Sequence, residues 1–148
     1  AGKLSAIVTQ NIDGLHQAAG SKNVFELHGS VHRNYCQKCG KFFDVNYVVN
    51  AKGVPYCDEC GGIIKPDVVL YEEGLDSQTI NGAVRAISKA DMLIIGGTSL
   101  VVYPAAGMID YFKGKYLAVL NRDATSRDKQ ADLCITDLIG EVLGRIRV

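Results

Sequence analysis

Four cysteines stand in two Cys-x-x-Cys pairs, Cys36 with Cys39 and Cys57 with Cys60, separated by seventeen residues. Each pair can turn both sulfurs onto one ion, and two matched pairs supply the tetrahedral four-thiolate set that Zn²⁺ takes. Gly40 follows the first pair and Gly61-Gly62 the second, where the chain has to bend around a metal. Two disulfides or a thioredoxin-like redox pair are the alternatives that the same cysteines allow, and the matching of the two pairs favours metal. Four protein ligands leave no open coordination position, so the expected ion is structural.

Three further clusters are more polar than packing requires. They are Thr9-Gln10-Asn11-Ile12-Asp13, Gly96-Gly97-Thr98-Ser99 and Asn121-Arg122-Asp123, and each follows a short apolar run. In open parallel sheets ligands bind beyond the carboxyl ends of the strands, which is where these clusters fall. Glycines and hydroxyls opening a helix suit a phosphate, although an ordinary cap has the same composition. Asn121 and Asp123 can each bind ribose hydroxyls or simply turn the chain. His28, taken alone, reads most simply as a core histidine bonded to a carbonyl.

The elements that would position these groups alternate between short apolar runs and helical patterns, as in βαβ units on a parallel sheet. Residues 4–9 form the first run, a short helix spans 15–19, and 24–27 is extended. Residues 31–66 break into turns, cysteines and glycines and read as an inserted zinc module; an extended run resumes at 68–71. Asp76 is placed to cap a helix whose buried face carries Ile80, Ala83, Val84 and Ile87. Residues 92–95 are apolar without interruption, as a strand covered on both faces should be. A helix with Pro104 in its first turn, strands at 116–120 and 133–135, and a terminal helix bearing Ile139, Val142, Leu143 and Ile146 complete the pattern. The expected domains are therefore 1–30 with 67–148, and 31–66 between them.

Lys+Arg equals Asp+Glu at 16 each, giving a formal charge of zero over 148 residues. That balance argues against a nucleic-acid reader, which shows a basic face. No stretch has the apolar length of a membrane span, and the cysteine usage fits a reducing, cytoplasmic setting. Cys134, in the run Leu133-Cys134-Ile135, reads as a buried inert thiol.

The chain resembles the sirtuins, NAD-dependent protein-lysine deacylases of bacterial type. The resemblance rests on Thr9 to His16, Glu26-Leu27-His28-Gly29, the four cysteines, Lys65-Pro66-Asp67-Val68-Val69, Gly97-Thr98-Ser99-Leu100 and Asn121-Arg122, in the family's order. It implies a Rossmann-like α/β fold, a parallel sheet with helices on both faces, carrying a small four-cysteine zinc module. It implies NAD as co-substrate, structural Zn²⁺, acylated-lysine peptides as partners, and nicotinamide and O-acyl-ADP-ribose as products. His28 matches the base that activates a ribose hydroxyl, work for which an imidazole is suited because the free group titrates near neutrality. Asn11 and Asp13 match the pair that organises the nicotinamide pocket, with Ile12 against the ring and Gln10 on the nicotinamide ribose. Gly97, Thr98 and Ser99 fall to a phosphate or ribose, Asn121, Arg122 and Asp123 to the adenosine ribose, and the backbone near Asp137 to the adenine edge. The peptide is expected to pair as a strand with Val69. Tyr71 would line the lysine tunnel, and Glu72 and Glu73 would flank the peptide. His16 and His32 match no catalytic position.

The family also carries a Gly-Ala-Gly-x-Ser segment and a Gly-Ile-Pro-Asp-Phe-Arg segment, and this sequence starts after both. Either a second chain completes these residues or they are a fragment of a longer enzyme; the expectation is the fragment, inactive alone and incomplete at its N-terminal side, with an exposed sheet edge through which it could associate. A zinc-stapled peptide-binding fragment without turnover, or a protein ADP-ribosyltransferase, are the competing functions.

Overall fold

The computed structural model describes residues 2–147, which divide into two compact units, Ala6–Ile80 and the chain from Asn81 onward with the few residues before Ala6. Each is described separately.

In the first unit β1 (Ile7–Thr9) pairs in parallel with β2 (Val24–Glu26), and the single turn of α1 (Leu15–Ala18) lies between them in the chain. A second, antiparallel sheet places β3 (Gly29–Cys36) between β4 (Phe42–Phe43) and β5 (Ile64–Val68). The long strand β3 and the helix α2 (Val45–Val49) fall in the stretch expected to be turns. β3 escapes an apolar alternation rule because its buried positions are Ser30, Asn34 and Cys36. Asn34 is 1% exposed, and its side-chain amide donates to the carbonyls of Val31 and Phe43, at 3.1 and 3.3 Å, so a polar residue closes the sheet from within. Asp44 caps α2 by accepting from the Tyr47 N–H at 2.9 Å. Cys36, Phe43, Cys57 and Ile64 form the core here, with Val48 and Cys60 packed against them.

β5 starts at Ile64 and ends at Val68, earlier at both ends than the extended run expected over 68–71. Beyond it, the Glu73 carboxylate accepts from the Leu70 N–H at 2.9 Å and from the Lys65 ammonium at 3.2 Å. These two partners, the backbone N–H first, hold Glu73 below the usual carboxylate range. Because the folded value is depressed, this tie is fully present above the ordinary glutamate range and is lost as the pH falls below it. The Leu70 amide shift in an NMR acid titration is expected to stay constant at neutral pH and to move only there.

The helix α3 (Ser77–Lys89) begins in the first unit and runs on into the second, capped as expected by Asp76, which accepts from the Thr79 N–H at 2.7 Å. Its buried residues are Ala83 and Ile87. Three parallel strands follow in the order β6 (Met92–Gly96), β7 (Tyr116–Leu120) and β8 (Leu133–Ile135). Ile95, Leu117 and Val119 form the core, joined by Leu93, Leu100, Ile109 and Phe112. Two expectations are corrected. β6 is covered on one face only, since Met92 and Ile94 are 48% and 45% exposed while Ile95 is buried. Cys134 is exposed, because β8 lies at the edge of its sheet, and its thiol donates to the Asp128 carbonyl at 3.5 Å. The segment after Pro104 is a 3-10 stretch, Ala105–Tyr111, with Pro104 as its cap, and the terminal helix α4 spans Ile139–Gly144.

Candidate functional site

The segment leaving β1 is fixed by its own polar groups. The Thr9 hydroxyl accepts from the Asn11 N–H at 3.1 Å, Val31 donates to the Ile12 carbonyl at 3.1 Å, and the Asp13 carboxylate accepts from the Leu15 N–H at 3.0 Å. The His32 ring donates through Nε2 to the Asp13 carbonyl at 2.9 Å, and Gly14, at φ 69°, lies so close to that ring that a Cβ would press on it. His32 therefore shapes the loop without offering chemistry of its own. Held in this way, Gln10, Asn11, Ile12 and Asp13 line a cavity of about 480 Å³ with His28, Val68 and Val69.

His28 is bonded to a backbone carbonyl, as its sequence alone suggests. Its Nδ1–H donates to the Gln10 carbonyl at 3.1 Å, as a structural histidine would. A carbonyl only accepts, so the bond assigns the proton to Nδ1 and leaves Nε2 with its lone pair in the neutral ring. The backbone on either side is equally constrained: Val69 donates to the His28 carbonyl at 3.0 Å, and Leu27 donates to the Thr9 carbonyl at 2.9 Å. Gly29 has φ 78°, and an added methyl there would overlap the Asp67 carbonyl oxygen. Gly29→Ala is thus expected to cost more than about 2 kcal/mol, since the backbone strain and the overlap act together. Thermal unfolding checks the loss, and a variant as stable as the parent would show that the two strands separate freely.

Of the other expected site residues, Val69 is at the cavity and Val68, not anticipated, joins it. Its adjacency to Val69 was the available signal. Tyr71 is not brought in: its ring is fully exposed, at 101%. Glu72 is exposed at φ 70°, and Glu73 is occupied by Leu70 and Lys65.

In the second unit the Asn121 side chain is engaged at both ends. Its oxygen accepts from the Thr98 N–H at 3.0 Å and its amide donates to the Asp123 carbonyl at 2.8 Å. Asn121 therefore pins the Gly97-Thr98 turn, where Gly97 has φ 63° and the Thr98 hydroxyl accepts from the Leu100 N–H at 3.2 Å. Ser99, Arg122, Asp123 and Asp137 are exposed.

The four cysteine sulfurs lie within 4.8 Å of one another. Cys36 and Cys60 are 3.4 Å apart and Cys39 and Cys57 3.7 Å, and all four are free thiols, which disfavours the disulfide alternative. Tetrahedral Zn–S bonds of about 2.3 Å separate neighbouring sulfurs by about 3.8 Å, so the residues present fit the ion. The Cys39 N–H draws the Cys36 thiol down to about 6, against the effect of burial. Cys60, despite the Gly62 N–H that pulls the other way, is pushed up to about 12 by the Cys36 and Cys39 sulfurs. Bringing all four sulfurs to thiolates at this spacing would require a cation among them.

A model described as the Sir2 family matches residues 1–104. NAD-dependent protein deacetylases of Clostridium acetobutylicum and Clostridium perfringens are 68% and 67% identical, over 96% and 98% of this chain and 58% and 60% of their own lengths. A solved Sir2 with a p53 peptide and NAD⁺ is 39% identical at a TM-score of 0.87, covering 96% of this chain and 61% of that one. Sir2Tm bound to a propionylated peptide is similar at 39% identity and a TM-score of 0.88, covering 96% and 62%. The chain thus spans about three fifths of the length of these relatives.

Proposed function

Because the chain belongs to the Sir2 family, we propose that it supplies the catalytic base, the acyl-lysine contacts and the zinc module of an NAD-dependent protein-lysine deacylase. The observation that carries this reading is the cavity that gathers Gln10, Asn11, Ile12, Asp13, His28 and Val69. NAD⁺ would supply, as co-substrate, a ribose carbon made electrophilic by its nicotinamide leaving group. His28 holds a free Nε2 ready to take a hydroxyl proton, because Nδ1 is committed to the Gln10 carbonyl. Asn11 and Asp13 orient the nicotinamide end with Ile12 beneath it, and Gln10 meets the neighbouring ribose. Among the described residues none engages the Asn11 side-chain amide, which leaves it available.

Val69 has its N–H bound to His28, so its carbonyl is what it offers an extended peptide. Tyr71 and Glu72 follow it, and Glu73 braces them through Leu70. Gly97, Thr98 and Ser99 are assigned to a phosphate or ribose, Arg122 and Asp123 with Asn121 to the adenosine ribose, and the backbone at Asp137 to the adenine. The cysteines Cys36, Cys39, Cys57 and Cys60 would hold Zn²⁺ in a structural role. No helix among the described residues is long and apolar enough to cross a membrane; we assign the protein to the cytoplasm, where free thiols persist. With no net charge it is given no nucleic-acid partner, and an exposed sheet edge is where it would associate.

The test is an assay of the complete protein with an acetyl-lysine peptide and NAD⁺. Nicotinamide release matched by loss of the acetyl group is expected. Transfer of labelled ADP-ribose to protein without deacylation would overturn the reading in favour of a transferase, and peptide binding without turnover would make it a binding module.

A further inference from the structure

Arg33, on β3, belongs to none of the roles assigned above. Its guanidinium reaches in two directions: Nη1 donates to Oε2 of Glu26 at 2.7 Å, and Nε donates to Oδ2 of Asp67 at 2.8 Å. Glu26 is the last residue of β2, two before His28, and Asp67 stands in β5, two before Val69. The side chain of Glu26 is only 8% exposed. A carboxylate so far from water is tolerated with a charged partner and strongly destabilising without one. Burial works against the Arg33 charge, but the two carboxylates outweigh it and hold the guanidinium firmly protonated. The rigid fork of an arginine can serve two acceptors at fixed angles, which the single ammonium of a lysine cannot.

The two strand exits tied by Arg33 also meet each other. Val69 donates to the His28 carbonyl at 3.0 Å, and Gly29 faces Val68 across the β3–β5 ladder. That ladder is interrupted between Ser30 and Asn34. Where the backbone register lapses, Arg33 supplies the cross-link.

We propose that Arg33 is a positioning residue: by holding Glu26 and Asp67 together it sets the spacing between His28 and Val69, and so aligns the base with the strand that receives the acyl-lysine peptide. The proposal rests on the deacylase reading. An exposed ion pair would contribute little. The Asp67 arm is of that kind, its two side chains being 40% and 47% exposed; what sets the link apart is that the buried Glu26 fixes the guanidinium and so presents its Nε to Asp67 in one orientation.

The test uses the complete protein with Arg33→Met, Arg33→Lys and Asp67→Ala. Arg33→Met is expected to raise KM for the acyl peptide and lower kcat, together costing about tenfold in kcat/KM, within the hundredfold that an ångström of misplacement can cost. Its zinc content should be unchanged, and Arg33→Lys should fall between it and the parent. A second readout does not depend on turnover: the Val69 amide should exchange faster in Arg33→Met, while the Ile64 amide, bonded to the Pro55 carbonyl at 3.0 Å, keeps its protection. Asp67→Ala leaves the buried Glu26 pair intact and should show the same Val69 effect in smaller measure, which decides the matter if Arg33→Met does not fold. Unchanged Val69 exchange and unchanged kinetic constants in a folded variant would overturn the proposal, as would a lower melting temperature with both unchanged. Faster Val69 exchange in a protein whose parent shows no deacylation would overturn the deacylase reading and leave the strand link standing.

Discussion

If His28 is the base proposed above, deacylation by the complete protein is expected to fall by about a hundredfold or more when His28 is replaced by alanine, the range a positioned acid or base supplies. The geometry says why the loss should be selective. The ring is anchored through Nδ1 to the Gln10 carbonyl at 3.1 Å, and the backbone is anchored through its carbonyl to Val69 at 3.0 Å. Alanine keeps the second bond and removes the first. The strand link through Val69 therefore persists, while no nitrogen remains to accept the ribose hydroxyl proton. Nicotinamide release, which precedes that proton transfer, should suffer less. Parallel measurement of nicotinamide and of deacylated peptide checks both halves. Near-normal turnover in the variant would assign the proton transfer to another group.

Removal of metal is expected to have the largest effect on the fold. Two of the four buried core residues around β3, Cys36 and Cys57, are also proposed ligands, which leaves Phe43 and Ile64, with the partly buried Val48 against them, as the apolar core among the described residues. So small a core does not hold a module of this size by burial. Structural zinc contributes about 10–16 kcal/mol in small zinc-dependent peptides, comparable to the whole stability of an ordinary domain, about 5–15 kcal/mol. Chelation, or Cys36→Ser, should lower the melting temperature and release the amides of β3 and β4 to exchange, with those of β7 least affected. Elemental analysis should find one zinc per chain. A metal-free protein with the same melting temperature, purified without chelator, would sink the assignment.

Much of the site was legible because its signals are local. A Cys-x-x-Cys pair carries its geometry in four residues, and the Asp76 cap needs only Thr79. The strands at 92, 116 and 133 announce themselves by continuous apolar runs. What escaped depended on distant partners. β3 buries Ser30 and Asn34, so no hydrophobic period marks it. Cys134 was misjudged because exposure at an edge strand depends on which strand pairs beside it. Arg33 looks like any surface arginine until folding brings Glu26 and Asp67 to either side of it. Asn121 shows the same limit from the other direction: a residue at a strand end proposed for a ribose has its own amide engaged in holding the neighbouring turn.

The sharing of Cys36 and Cys57 between core and ligand set reaches beyond folding in the test tube. A ligand that binds only the native state shifts stability by RT ln(1 + [L]/Kd), so each tenfold fall in available zinc removes about 1.4 kcal/mol once the ion is in excess of its dissociation constant. The lost stability falls first on the segment that carries the cysteines, which opens it to proteases. Cells short of zinc would therefore hold less of this protein without any change in its synthesis.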